Sequence, residues 1–334
     1  MEYNWKSNGF KRNLQNILES MSYTYGFKTP QNAKDFCNIK PKLHDPFLFN
    51  NMQKVIDKIN YYIDNNKLIM IAGDYDADGI GATKILYTCL KYLNANVVCK
   101  LPHRIYDGYG LKNKTIDYAK ENNVELIITV DNGITAVDAI EYSKSLGIDI
   151  IVTDHHEPKN VIPNCLILNP QLKDSGYPFK CLCGAGVAFK LATALIKNNK
   201  NMDIENTSIY SEIIQTCCIS TIADVMLLID ENRTIVIDGL YAINNSPLIG
   251  IKKLLQILKF DKSKKEKDGD SSKPNNTDEL FKNKVTSDYI AFSIAPCLNA
   301  AGRVDCPSKA LNLLLVNNED EAEILAREIS LLND

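Results

Sequence analysis

The sequence predicts an α/β protein: a doubly wound, mostly parallel sheet, followed by a mainly helical region and the start of a connecting helix. Two observations carry that prediction. From Lys67 onward, the apolar runs KLIMIAG, ANVVCKL, ELIITV, IDIIVT and NCLILN alternate with helix-like stretches such as TKILYTCLKYL and AVDAIEYSKSLG. Short, wholly apolar strands separated by helices are the mark of a parallel sheet covered on both faces. The polar clusters GDYDADG, VDNGI and TDHH each fall at the end of such a run, which is the edge where open α/β sheets place their function.

Along the chain, residues 1–66 are read as an N-terminal extension packed on the core, polar and aromatic with a helical tendency at its start. Residues 67–257 hold the sheet and its helical continuation, through GAGVAFKLATALI, EIIQTCCISTIADVML and PLIGIKKLLQILKF. Residues 258–287 contain KSKKEKDGDSSKPNNT (Lys262–Thr277), too poor in apolar residues to offset its ordering entropy and therefore expected to be a mobile insertion. The fold resumes at DYIAFSIAPCLNAAGR within 288–334, and EDEAEILAREISLLND reads as an amphipathic helix without a Gly or Pro terminator, expected to continue further.

Composition sets the outer bounds. With 334 residues, 45% hydrophobic and 24% charged, the chain has the make-up of a soluble globular protein. The opening MEYNWKSNGFKRNLQ has no apolar run behind its basic residues, so it reads as neither signal peptide nor membrane span, and a cytoplasmic protein is expected. Ten scattered cysteines, two of them the adjacent Cys217 and Cys218, suit reduced thiols better than a disulfide framework. Cys181 and Cys183 lack the spacing of a zinc site. A net charge of −3 excludes a uniformly basic nucleic-acid scaffold but not a local basic channel.

The chemistry-bearing residues sit at the strand ends. Asp74, Asp76 and Asp78 alternate just beyond KLIMIAG; on extended backbone they face one side, and crowded carboxylates are costly unless a cation neutralises them. A solvated turn or a helix-capping loop is the competing reading. Asp131 follows ELIITV, and Asp154, His155 and His156 follow IDIIVT, so two of the chain's four histidines stand beside an aspartate at the same edge. Adjacent histidines point different ways, which lets one ligate while the other faces substrate. Asp224 ends IIQTCCISTIA, where it is either a further ligand or a capping or salt-bridged acid. Carboxylates with an imidazole suit Mn²⁺ or Mg²⁺.

Other motifs suggest substrate contacts. Arg104 in PHRIYDGYG could hold a terminal 5′-phosphate in a two-bond fork. Tyr106 and Tyr109 could stack on unpaired bases or simply pack. Gly184 and Gly186 open a helix whose amino end could face a phosphate, or else permit tight packing.

The ordered set DYDADG, VDNG, TDHH and GAGVAFK, extended by PHRIYDGYGL, IADVMLL and APCLNAAGR, resembles the DHH phosphoesterase superfamily in its RecJ branch, over most of residues 68–331. The resemblance implies a 5′-to-3′ exonuclease of DNA repair and recombination, specific for single-stranded DNA and working with two divalent cations. It implies metal-ligand roles for Asp76, Asp78, Asp131 (bridging), His155 and Asp224, with Asp74 in the same motif. It further implies that His156 contacts the scissile phosphate or leaving group, that Asp154 orients the imidazoles, and that Asn299 and Arg303 of NAAGR face substrate. Single-stranded DNA is then the partner, with a helicase or single-strand-binding protein as the candidate supplier of unwound strands. Family members usually continue into a further C-terminal lobe, so a catalytic core of low processivity is expected. A DHH enzyme for short oligonucleotides or cyclic dinucleotides is the alternative, and a non-catalytic binding protein a third reading.

Overall fold

The computed structural model describes residues 29, 31, 41–104, 108–258, 284–304 and 306–333; Tyr106 and the 262–277 segment lie outside them. The chain forms two compact units, Met1–Leu43 and His44–Asp334. Of the first, only residues 29, 31 and 41–43 are described, and everything below concerns the second.

Helix α1 (Met52–Asp64), inside the expected 1–66 extension, buries Met52, Val55, Ile56 and Ile59 completely. Then come β1 (Ile69–Ala72), α2 (Ala77–Tyr92), β2 (Val97–Lys100), α3 (Asn113–Glu121), β3 (Leu126–Val130), α4 (Val137–Ser145), β4 (Asp149–Thr153) and β5 (Leu166–Leu168). The five strands form one sheet in the order β2-β1-β3-β4-β5, every pairing parallel. β1 and β3 are buried at every residue, the consequence of helices on both faces. Met70, Ala72, Ile127, Ile150 and Val152 pack with Ile116 and Ala119 of α3 and Ala139 and Ile140 of α4. The alternate residues Ile69, Ile71, Leu126, Ile128 and Ile151, also buried, point to the other face. There lie α1, α2 and α5 (Gly184–Lys200).

The strand order reverses direction between β1 and β3, and the carboxyl edge at that reversal is where an open α/β sheet leaves a crevice. Register fixes what occupies it. Ala72 pairs with Thr129, and Val130 with Thr153; continuing those pairings brings Asp74, Asp131 and Asp154 to one level.

The helical remainder comprises α6 (Tyr210–Ala223), α7 (Asp230–Asn245), α8 (Ile249–Ile257), α9, α10 (Pro307–Leu315) and α11 (Glu319–Asn333), where α9 runs through Ser287–Tyr289, a π-helical turn at Ile290–Ile294 and Ala295–Val304. It is joined to the sheet layer through α2. Ala77 and Ile80 of α2 share a core with Ile219 and Ile222 of α6, Ile251 of α8, Ile294 and Leu298 of α9, Leu313 of α10 and Ile329 of α11. With helices packed on both sides, α2 is buried nearly all round, including Lys84, whose ammonium reaches Glu212 at 3.0 Å. In the same interior Lys190 of α5 pairs with Glu231, and the Tyr177 hydroxyl donates to Glu231 at 2.6 Å. Such buried charges persist only when paired and hydrogen-bonded. No helix among the described residues is long and apolar enough to cross a membrane.

Candidate metal centre

Each strand end delivers its side chains through a local device. After β1, the Asp76 carboxylate caps α2, accepting from the backbone N–H of Asp78 (3.1 Å) and Gly79 (3.0 Å), as an acid at a helix start should. This capping turn swings Asp78 inward. There its two carboxylate oxygens accept from Gly184 N (2.6 Å) and Ala185 N (2.9 Å). After β3, Asp131 takes a left-handed φ of 61°, a conformation that Asp tolerates better than most residues. Asn132 fixes that turn: its buried amide donates to Ala72 O (3.1 Å) and Val130 O (2.9 Å), clamping the ends of β1 and β3 together.

After β4, Asp154 is 1% exposed and accepts from four donors: Ile134 N (2.9 Å), His155 N (2.7 Å), His156 N (3.1 Å) and His156 Nδ1 (2.7 Å). It therefore works as a positioning carboxylate. His156 Nε2 in turn faces the Tyr109 hydroxyl at 3.1 Å. The His155 ring lies 4.4 Å from that of His156, so the two imidazoles do not diverge as the strand end predicts; both reach Asp131 Oδ1, His156 Nδ1 at 4.0 Å and His155 Nε2 at 3.1 Å, with His155 Nε2 also 3.7 Å from Asp224 Oδ2 and 3.8 Å from Asp78 Oδ2. Asp224, the C-cap residue of α6, is brought there by its helix. Asp74, Asp76 and Asp131 form a further group, their carboxylate oxygens within 4.8 Å of one another.

Electrostatics shows what this arrangement lacks. Burial, then the Asp76 charge, pushes the Asp74 carboxyl up to about 7. Burial, then Asp224, lifts Asp78 to about 8, and burial with the Asp76 charge lifts Asp224 to about 6. Asp131 is raised well above the carboxylate range by burial and by Asp78. Burial and the neighbouring His156 lower His155 to about 4, leaving a neutral imidazole able to ligate. Asp154 goes the other way: burial raises it, but the hydrogen bonds from His156 and the backbone outweigh that and hold it ionised. Asp74 Oδ1, Asp131 Oδ1 and Asp224 Oδ2 are buried without a hydrogen-bond partner. Crowded, desolvated carboxylates with orphaned oxygens fit a divalent cation. Three ligand sets are in reach of one another: Asp131 with His155 and His156; Asp78 with His155 and Asp224; Asp74 with Asp76 and Asp131. Asp131 belongs to two of them and its carboxylate has two oxygens, so adjacent ions could share it; His155 also belongs to two, but a neutral imidazole can serve one ion at a time.

The expected substrate residues are placed unevenly. Tyr109 lies at the site, against His156. The exposed Arg104 stands over the Tyr75 ring, 5.4 Å from its centre, beside the Asp-rich loop. Asn299 supports that loop, its Oδ1 accepting from Ala77 N at 2.9 Å, while Arg303, near the end of α9, is exposed. The expectation that Gly184 and Gly186 present an amino end to a phosphate is corrected: Gly184 N and Ala185 N already hold Asp78, and Gly186 N donates to Cys183 Sγ at 3.3 Å. Gly184 is required by close approach instead, since a Cβ there would stand 2.4 Å from that of Asp131. Two supporting residues escape the sequence reading, Asn132 and Asn169, the latter donating to His156 O at 2.9 Å. Each is a polar residue at the end of an apolar strand, which is the signal that could have found it.

Comparison with known proteins gives the family and the fold. Residues 68–222 match the family model described as DHH family, N-terminal domain. The single-stranded-DNA-specific exonuclease RecJ of Bacillus subtilis is 36% identical over 319 residues, covering 95% of this chain and 37% of the relative. RecJ of Escherichia coli is 36% identical over 273 residues, with 79% and 44% covered. The chain thus spans less than half the length of these curated relatives. A crystal structure of exonuclease RecJ bound to manganese superposes with a TM-score of 0.72 at 31% identity, covering 87% of this chain and 67% of that one.

Proposed function

We propose that this chain, which belongs to the DHH family in its RecJ branch, hydrolyses phosphodiester bonds of single-stranded DNA from the 5′ end, with two divalent cations at the strand-end site. The observation that carries the chemistry is the trio of buried carboxylate oxygens without a hydrogen bond on Asp74, Asp131 and Asp224, the last two facing His155, whose proton affinity burial lowers. Asp74, Asp76, Asp78, Asp131, His155 and Asp224 would hold the ions, Mn²⁺ or Mg²⁺, and Asp131 is the residue that both could use. When bound, such ions lower the pKa of water and stabilise both the entering and the leaving oxygen of an in-line displacement. The relatives' name supports the substrate, and the manganese-bound relative supports the metal.

The chain's own residues do the rest. Asp154 holds His156 through Nδ1 and two backbone N–H groups, and Nε2, which faces the Tyr109 hydroxyl here, exchanges that contact for the scissile phosphate or the departing oxygen. His156 is raised above its ordinary range by the hydrogen bond to Asp154, so it can donate to an anionic oxygen. Arg104 receives the terminal 5′-phosphate, Tyr109 the adjoining base, and Asn299 and Arg303 complete the strand-facing side. The catalytic domain spans residues 67–257. A helicase or single-strand-binding protein supplies the unwound strand, and the work is done in the cytoplasm.

A substrate series tests this reading. 5′-labelled single strands should be degraded with Mn²⁺, while blunt duplexes of the same sequence are spared. Faster turnover of dinucleotides or cyclic dinucleotides than of long strands would instead assign the chain to the small phosphoesters.

A further inference from the structure

The helix ends of this chain follow one habit. When a helix closes by turning its next residue into the left-handed region, Gly and Asn accept the conformation readily and a β-branched residue does not. Asn66 follows α1 at φ 50°, Asn94 follows α2 at 61°, Asn123 follows α3 at 56°, Gly147 follows α4 at 73°, and Asn201 closes α5 at 50°. After α6 the same turn falls on Val225, at φ 54°. Every other described non-glycine residue with positive φ is Asn or Asp.

The turn at Val225 is an ordinary closure, with Val225 N donating to Ile222 O and Met226 N to Thr221 O, both at 3.1 Å. Glycine would make both bonds without strain. Nor does packing reward the valine, which is 87% exposed, with Leu227 (60%) and Ile229 (42%) following at alternate positions. Its position is what distinguishes it. Asp224, immediately before it, places a carboxylate oxygen 3.7 Å from His155 Nε2. A strained, exposed, β-branched side chain beside a reactive centre points to something that it touches during function.

We infer that Val225 is a substrate-contacting residue, laying an apolar face against the nucleotide next to the scissile phosphate, with Leu227 extending the contact along the strand. The inference rests on the reading of the site as a single-strand nuclease and names a part of its substrate surface. Unpaired nucleotides expose apolar base and sugar faces, and contact with them does not depend on sequence. The nearby carboxylates serve the metals and cannot make it.

The test compares the wild-type chain with Val225→Gly and Val225→Ile. Three quantities are read: the melting temperature, Mn²⁺ affinity, and the affinity for a fluorescent oligothymidylate with phosphorothioate linkages that resist cleavage. Val225→Gly should melt higher by about 2–5 °C as the strain is relieved, keep its Mn²⁺ affinity, and bind the oligonucleotide about 5–20-fold more weakly as the apolar contact is lost. Val225→Ile, which keeps both strain and contact, should bind like wild type. Wild-type oligonucleotide affinity in Val225→Gly overturns the inference. So does a lower melting temperature, which would mean that the side chain packs against the chain itself, and so does a loss of Mn²⁺ affinity, which would make Val225 a prop for Asp224. A wild-type chain that binds the oligonucleotide but cleaves no ordinary strand contradicts the proposed hydrolysis and leaves the Val225 comparison readable; one that binds no oligonucleotide overturns both.

Discussion

Asp131 is where the constraints on single residues converge. It is 2% exposed, left-handed at φ 61°, within reach of two candidate ion positions, and in contact with His155. Asp131→Ala should lower hydrolysis by on the order of 10³-fold or more, because it removes charge from between the metals. Folding should survive, since the lost carboxylate is crowded and desolvated in the metal-free chain. Turnover with Mn²⁺ near the wild-type rate would reject the bridging role. Asn132 gives a second expectation at this scale. Asn132→Ala strips two buried carbonyls, Ala72 O and Val130 O, of their donor, a loss of about 1–3 kcal/mol that urea unfolding can measure. Because the same turn aims Asp131, kcat should fall further than stability alone explains; full kcat in a folded variant would show that the clamp is only structural. The acids and histidines were legible in the sequence as strand-end polar residues. Asn132 carries the same strand-end signal, but its role was not legible, because local spacing does not show that its amide donates to the backbone of two strands.

At the scale of elements, the amino end of α5 shows where a local pattern misleads. GxG before a helix reads as a phosphate cradle, but the fold brings Asp78, a residue from the start of α2, onto those N–H groups. No periodicity encodes a contact over that sequence distance. The glycine still bears on the site through its close approach to Asp131, and Gly184→Ala tests that approach: the added Cβ meets Asp131 at 2.4 Å, so the helix or the carboxylate must move. Misplacement of that size should cost about 100-fold in kcat, read together with a circular-dichroism melt showing that α5 still forms. An active Gly184→Ala enzyme would mean that the α5–Asp131 approach is not part of the working geometry. The strands and the crossover helices α2, α3 and α4 were legible because each is apolar on the period its burial demands. The packing of α6, α9 and α10 onto α2 was not, since a helix buried on opposite sides has no single apolar stripe to read.

For the whole molecule, the metal-free site is a source of instability whose pH dependence has a definite sign. Asp224, Asp74 and Asp78 have folded-state values of about 6, 7 and 8, against 3.8 for the ordinary carboxyl. The folded state therefore holds these protons more tightly than the unfolded chain. The stability they contribute is fully present below about pH 4 and is lost as pH rises through about 8. With chelator present, the melting temperature should fall between pH 5.5 and 8, and added Mn²⁺ should raise it more at pH 8 than at pH 5.5, because ligation needs the ionised forms. A metal-free melting temperature that climbs steadily over that range would contradict the crowding. The parallel sheet itself followed from alternating runs, whereas its strand order, which sets the three aspartates at one level, came only from the register.

The central claim, that these strand ends form one shared two-ion centre, is tested most directly by titrating the wild-type chain and its Asp131→Ala and His155→Ala variants with Mn²⁺ and reading the stoichiometry by calorimetry. Because Asp131 belongs to two of the ligand sets through a carboxylate, whereas the imidazole of His155 can serve one ion, the account predicts two ions on the wild-type chain, weakened binding of both in Asp131→Ala, and weakened binding of one in His155→Ala. A wild-type chain that binds no Mn²⁺, or variants that retain two ions at unchanged affinity, would contradict it.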